Sequence, residues 1–175
     1  MYEYIYKEAD RLARKFMTRD PFELLDYIGA VTRFSNEYER NGLKGYSMIM
    51  TRTKYATINA RLRRRDQEIV AGHKGAHLII HPDEIMSSPV RMLKDFNLFD
   101  DSGRIEYQAN LFLADFLLSD EDVLDSVFDE DKDFFSSARE LFVPPPLFAF
   151  KLYSLMRRGY DVRSPIDLDS KFLGR

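Results

Sequence analysis

His73 and His77 stand four positions apart within Gln67-Glu68-Ile69-Val70-Ala71-Gly72-His73-Lys74-Gly75-Ala76-His77-Leu78-Ile79-Ile80-His81. On a helix, that spacing puts two imidazoles one above the other on the same face, which is what a single zinc ion requires of two histidine ligands. The residues around them are apolar enough for the helix to be buried. A pair of buried histidines has two readings, a metal site or two core side chains satisfied by hydrogen bonds, and spacing alone leaves both open.

The residue that follows the first histidine sharpens the question. In the H-E-x-x-H helix of zinc-dependent hydrolases it is a glutamate, which takes a proton from metal-bound water and passes it to the leaving group. Here it is Lys74. A lysine with an ordinary pKa near 10.4 is protonated at neutral pH and cannot accept that proton. Exchanging glutamate for lysine also changes the neighbouring charge by two units, each worth ~3 kcal/mol at ~5 Å and an effective dielectric of ~20. Glu68 and Glu84 are the carboxylates that could serve instead. Glu68 is five residues before His73, on the opposite side of the helix, and Glu84 lies beyond the break at Pro82. His81 extends the series to H-x₃-H-x₃-H, but it is ~12 Å from His73 along a helix, too far to share one ion. It reads as a helix-end residue, with a ligand or substrate contact as the alternative, and His81-Pro82 closes the helix because a residue before proline leaves the α region.

The remaining elements must position this helix. Apolar residues at helical spacing predict a helix over Tyr2 to Met17, and Asp20 as N-cap with Pro21 at the first position starts another to Ile28. Residues Gly45 to Met50 and Tyr55 to Asn59 read as strands joined by Thr51-Arg52-Thr53-Lys54, an antiparallel hairpin whose first strand is expected to border the cleft with a free edge. Beyond the histidines, Pro89, Asn97 and Asp100-Asp101-Ser102-Gly103 mark turns. Helices are then expected over Arg104 to Leu118, after the cap at Ser119-Asp120-Glu121-Asp122, and over Asp131 to Leu141. Val143-Pro144-Pro145-Pro146 reads as a rigid break before a helix from Leu147 to Arg158 ended by Gly159, and the last fifteen residues read as irregular.

At 175 residues, 45% of them hydrophobic, with no repeat or composition shift, the chain is expected to form a single domain over 1–175. A formal charge of −3 gives no reason for direct nucleic-acid binding. With no cysteine, thiolate ligands and a cysteine nucleophile are excluded, so any metal must be held by His, Asp or Glu. The N-terminal segment lacks the pattern of a signal peptide and no apolar run reaches the ~20 residues that span a bilayer, which leads to a cytoplasmic expectation with no membrane partner.

A third candidate ligand sits on the Arg104–Leu118 segment. Glu106, with Asn110 four residues on and on the same face, follows an E-x-x-A-N-x-F-x-A-x-x-L-L pattern. Together with the hairpin, Ile58-Asn59-Ala60-Arg61-Leu62, Ala71-Gly72-His73 through His81-Pro82, and the late Lys151-Leu152 and Arg158-Gly159-Tyr160, this order resembles the ImmA/IrrE family of zinc metallopeptidases, a gluzincin-like group. The resemblance implies an α+β, zincin-like domain with a small, mostly antiparallel sheet, a metal-site helix, a second ligand helix and flanking helices at both ends. It implies one zinc ion held by His73, His77 and Glu106, with Asn110 hydrogen-bonding a ligand histidine, and water in the fourth position. Members of the family encoded on mobile elements or in stress responses cut a repressor with a helix-turn-helix domain. The expected function is therefore a metallo-endopeptidase acting on a regulatory protein and impaired by Lys74. The alternative is a pseudo-peptidase that binds such a partner without cutting it, and a third reading is an interaction module without metal. No substrate-binding residue is assignable from the sequence.

Overall fold

A computed structural model describes residues 2–97, 99 and 103–166. The turn expected at Asp100 to Ser102 and the irregular tail expected beyond Ile166 lie outside the described residues. The chain divides into two compact units, one formed by Leu12–Asp100 and the other by Met1–Arg11 with Asp101–Arg175. The architecture is α+β, with eight helices and four strands among the described residues.

The first helix, α1 (Glu3–Phe16), ends where Met17 turns to a positive φ of 52°. The Leu12–Asp100 unit continues with α2 (Pro21–Tyr27), capped as expected: the Asp20 carboxylate accepts from the Phe22 and Glu23 amides, at 2.7 and 3.3 Å. Four strands follow in the order β1 (Ala30–Ser35), β2 (Gly45–Met50), β3 (Thr53–Asn59) and, after two helices, β4 (Met92–Asp95). The expected hairpin is present as β2 and β3. Its Thr51-Arg52 turn has positive φ at both residues, 47° and 66°, the backbone that matches the right-handed twist of paired strands.

The sheet order is β1-β3-β2-β4, with β1 parallel to β3 and the other pairs antiparallel. The sheet is thus mixed, and only its hairpin was apparent in the sequence. The expectation of a free edge on the Gly45–Met50 strand is overturned, because β2 pairs with β3 on one side and with β4 on the other. The outer strands are β1 and β4, and β4 is only four residues long, too short to register as a period-two pattern.

Helix α3 (Arg64–Ile80) carries the histidine pair, and from Ile69 to Leu78 every residue is buried. Val70, Ala71 and Leu78 join Ile58 and Ala56 of β3, Leu25 of α2 and Ile85 of α4 (Pro82–Ser87) in one apolar core. At the core's edge, Gly45 allows β2 to approach: an added Cβ would lie 2.6 Å from the Thr57 carbonyl oxygen and 2.7 Å from Val70 Cγ1. His81 both ends α3 and precedes α4, so the proline that closes one helix occupies the first position of the next.

The other unit contains α5 (Arg104–Leu117), α6 (Asp120–Val127), α7 (Phe134–Glu140) and α8 (Pro145–Arg157). Ser119 caps α6 and Asp133 forms a capping box with Ser136 at α7. The break expected at the proline run is present between Glu140 and the extended Pro144, but α8 starts two residues earlier than expected, since Pro145 and Pro146 form its first turn, where their missing amides cost nothing. Lys151 of α8 bonds Asp115 of α5 at 3.0 Å and Asp120 of α6 at 2.6 Å, and Ser154 donates to Asp115 at 2.7 Å. Burial pushes the Asp120 carboxyl up, but hydrogen bonds from Arg158 and Lys151 outweigh it and hold it well below the usual carboxylate range.

The contrast between two glycines tests this packing. Gly45→Ala should lower stability in urea denaturation by ~1–3 kcal/mol through overpacking against backbone. Gly75→Ala should be neutral or stabilising by up to ~1 kcal/mol, because a Cβ there meets Leu24 Cδ2 at an ordinary 3.5 Å inside a helix. Equal losses at both positions would show that the β2 approach to α3 is not as described.

Candidate metal centre

The buried run of α3 delivers His73, Lys74 and His77 to the interior, where the exposures of their side chains are near zero. Helical geometry brings the two imidazoles together, with ring centroids 4.7 Å apart and planes at 79°. One turn further on, the ring of His81 stands 5.2 Å from that of His77. The fourth contributor comes from the sheet. Asp95, the last residue of β4, is held against Gly45 by the β2 ladder, and its backbone carbonyl accepts from the Lys44 amide at 2.8 Å.

Both candidate ligand histidines use Nδ1 for a hydrogen bond within the protein. Nδ1 of His73 lies 2.7 Å from Asp95 Oδ2. An ionised carboxylate only accepts, so Nδ1 of His73 donates, and the neutral ring then keeps its lone pair on Nε2. Nδ1 of His77 lies 3.1 Å from Nδ1 of His81. For Nε2 of His77 to carry a lone pair, its Nδ1 must donate and His81 must accept. Metal-binding histidines are usually oriented in this way, by a partner on the nitrogen that does not touch the metal. His73, His77 and Asp95 offer ligand atoms within 4.8 Å of one another. Two buried imidazoles, each held through Nδ1 and one of them by a carboxylate, fit a zinc-type ion by their chemistry.

Asp95 has a second partner. The Lys74 ammonium contacts the same Oδ2 that receives His73, and neither the lysine nor the aspartate side chain has any solvent exposure. Burial alone would push the Asp95 carboxyl up, but the Lys74 charge and then His73 reverse this and hold it well below the usual carboxylate range. The Lys74 charge is thus met within the protein by Asp95, a partner that the two-unit change in charge next to His73 does not by itself reveal. Ser47 of β2 adds a contact from its hydroxyl to the Lys74 carbonyl oxygen at 3.2 Å.

The structure also sorts the alternative bases. Glu68 is tied to Arg64 at 3.1 Å and Arg65 at 2.9 Å on the outer side of α3. Glu84 lies in the first turn of α4, half-buried. Glu106, in the first turn of α5, and Asn110, one turn on and buried, belong to the other unit. The sequence reading missed Asp95 altogether and took His81 chiefly for a helix end. His81 was open to discovery as the next member of an i, i+4 series, whereas Asp95, 22 residues from His73, is linked to it only by the β2–β4 register.

An α+β unit with a histidine pair on a buried helix laid against a small sheet is the arrangement of a zincin-like domain. Residues 31–153 match the family model described as Peptidase_M78, IrrE N-terminal-like domain, and the chain belongs to this family. The chain is also 30% identical over 120 residues to a protein of Bacillus phage phi105 described as uncharacterized immunity region protein 2, over 68% of this chain and 71% of that protein. No described helix is long and apolar enough to cross a membrane.

Removing the shared carboxylate charge tests the electrostatics. Asp95→Asn keeps an acceptor for His73 but leaves the Lys74 ammonium buried without a counter-ion, and should cost about 3–5 kcal/mol in urea denaturation. A loss under ~1 kcal/mol would mean that Lys74 does not depend on Asp95.

Proposed function

We propose that the chain works as one ImmA/IrrE-type metallopeptidase domain that engages a regulatory protein, such as a helix-turn-helix repressor, and that Lys74 suppresses hydrolysis so that binding is its main output. The observation that carries this reading is the buried Lys74–Asp95 ion pair at the position where the family's motif has its proton-accepting glutamate. An ammonium engaged with a carboxylate has no lone pair with which to accept a proton. Glu68, committed to two arginines, offers no replacement.

In this reading His73 and His77, through Nε2, and Glu106 are the residues that would hold zinc, with Asn110 hydrogen-bonding beside them. A bound zinc would supply Lewis acidity toward a peptide carbonyl. The chain's own residues orient the site: Asp95 and His81 hold the two imidazoles by their Nδ1 atoms, and Lys74 holds Asp95. Among the described residues the outer edge of β4 has no strand partner, and β4 ends at Asp95 beside His73. An extended segment of the regulatory protein would pair with that edge, main chain to main chain. The immunity-region description of the phage relative favours a regulator of a mobile element as the partner, and the absence of a described membrane-spanning helix agrees with action in the cytoplasm.

The experiment is to co-express the chain with any helix-turn-helix repressor found encoded beside its gene, purify by a tag on one partner, and follow the repressor by intact mass. A stable complex with an uncut repressor is expected, and Met92→Pro on the β4 edge should weaken it at least tenfold. Steady cleavage of the repressor by the unaltered chain would refute the reading.

A further inference from the structure

In zinc hydrolases the metal's positive charge is part of what the surrounding carboxylates and imidazoles are built to face, and folding is coupled to metal binding wherever the site is not preformed. In this protein the carboxylate behind the first histidine faces a positive charge that belongs to the chain. Asp95 Oδ2 receives both His73 Nδ1 and the Lys74 ammonium, and all three side chains are buried. Asp95 itself is fixed by the β2–β4 ladder, and Lys74 by its place in the buried run of α3.

Two consequences follow from one shared oxygen atom. The charge of Asp95 is balanced with no ion bound, so the site has no need of metal to be stable. A carboxylate divided between an ammonium and an imidazole also lends less electron density to the ring, and the ammonium repels a divalent cation from the same small volume, so His73 becomes a poorer metal ligand. We infer that the Lys74 ammonium, paired with Asp95, replaces the metal as the site's internal cation, so that this domain folds and holds its site without metal, and removal of the lysine charge uncovers tight zinc binding. This deepens the binding-without-cleavage reading and rests on it only for its biological purpose.

The test uses the purified full chain and three variants, Lys74→Met, Lys74→Glu and the double variant Lys74→Met with Asp95→Asn. Thermal unfolding is measured in EDTA and in zinc chloride, and zinc affinity by competition with a fluorescent chelator. The unaltered chain is expected to show the same midpoint in both media. Lys74→Met should unfold roughly 6–20 °C lower in EDTA and recover much of that loss with zinc, as an unpaired buried charge would predict for a chain of this size. Lys74→Met and Lys74→Glu should each bind zinc about a hundredfold more tightly than the unaltered chain. Should the single variants fail to fold, the double variant decides. It removes both charges while leaving an acceptor for His73, and is expected to fold in EDTA and to bind zinc at least tenfold more tightly than the unaltered chain. A midpoint of the unaltered chain that collapses in EDTA, or zinc binding by the folded variants no tighter than its own, would overturn the inference. Neither result bears on whether the repressor is bound or cut, so this inference and the functional reading fail separately.

Discussion

The site depends on where one buried carboxylate places its charge. Asp95 touches the His73 imidazole and the Lys74 ammonium through a single oxygen. Taking such an ion pair out of water is costly, and a pair of this kind persists only when its geometry is held by the surrounding structure. Here the holding is done on both sides. The β2–β4 register fixes the aspartate from the sheet, and burial from Ile69 to Leu78 fixes the lysine from the helix. Gly45, opposite Asp95 in the ladder, is the residue without a side chain that lets the strand sit close enough to α3.

From this pair the orientation of the histidines follows. With Nδ1 of His73 engaged by Asp95 and Nδ1 of His77 by His81, both rings are turned to present Nε2. The two rings thus have the orientation usual for metal-binding histidines, and the residue after the first of them, a glutamate in the H-E-x-x-H motif, is a cation here. A hydrolase needs a group that accepts a proton at that position, and general acid–base help is worth ~10²–10⁴-fold in rate. A binding protein needs only the framework and an accessible strand edge.

What the sequence disclosed was local. The His73–His77 pair was visible because an i, i+4 relation is set by the helix itself, and the caps at Asp20 and Ser119 were visible because they act within a few residues. The Glu106 pattern and the order of elements were sufficient to suggest the family that the matched residues 31–153 establish. What it hid was non-local or short. Strand β1, with alternation too weak to stand out, becomes a strand by pairing with β3, and β4 by pairing with β2. Asp95 could not be connected to His73 or to Lys74 without knowing that ladder, and the expectation of an open β2 edge failed for the same reason, because β4 covers it. Pro145 and Pro146 hid only the start of α8, because prolines beyond a break also fit the first turn of the next helix.

The central claim is that Lys74 and Asp95 act as a unit, and a double-mutant cycle in urea at neutral pH, in EDTA, measures that most directly. The four members are the unaltered chain, Lys74→Met, Asp95→Asn and the two combined. The account predicts that the double variant loses much less stability than the two single losses added together, with a coupling energy of about 2 kcal/mol or more. Additive losses, with a coupling indistinguishable from zero, would contradict it.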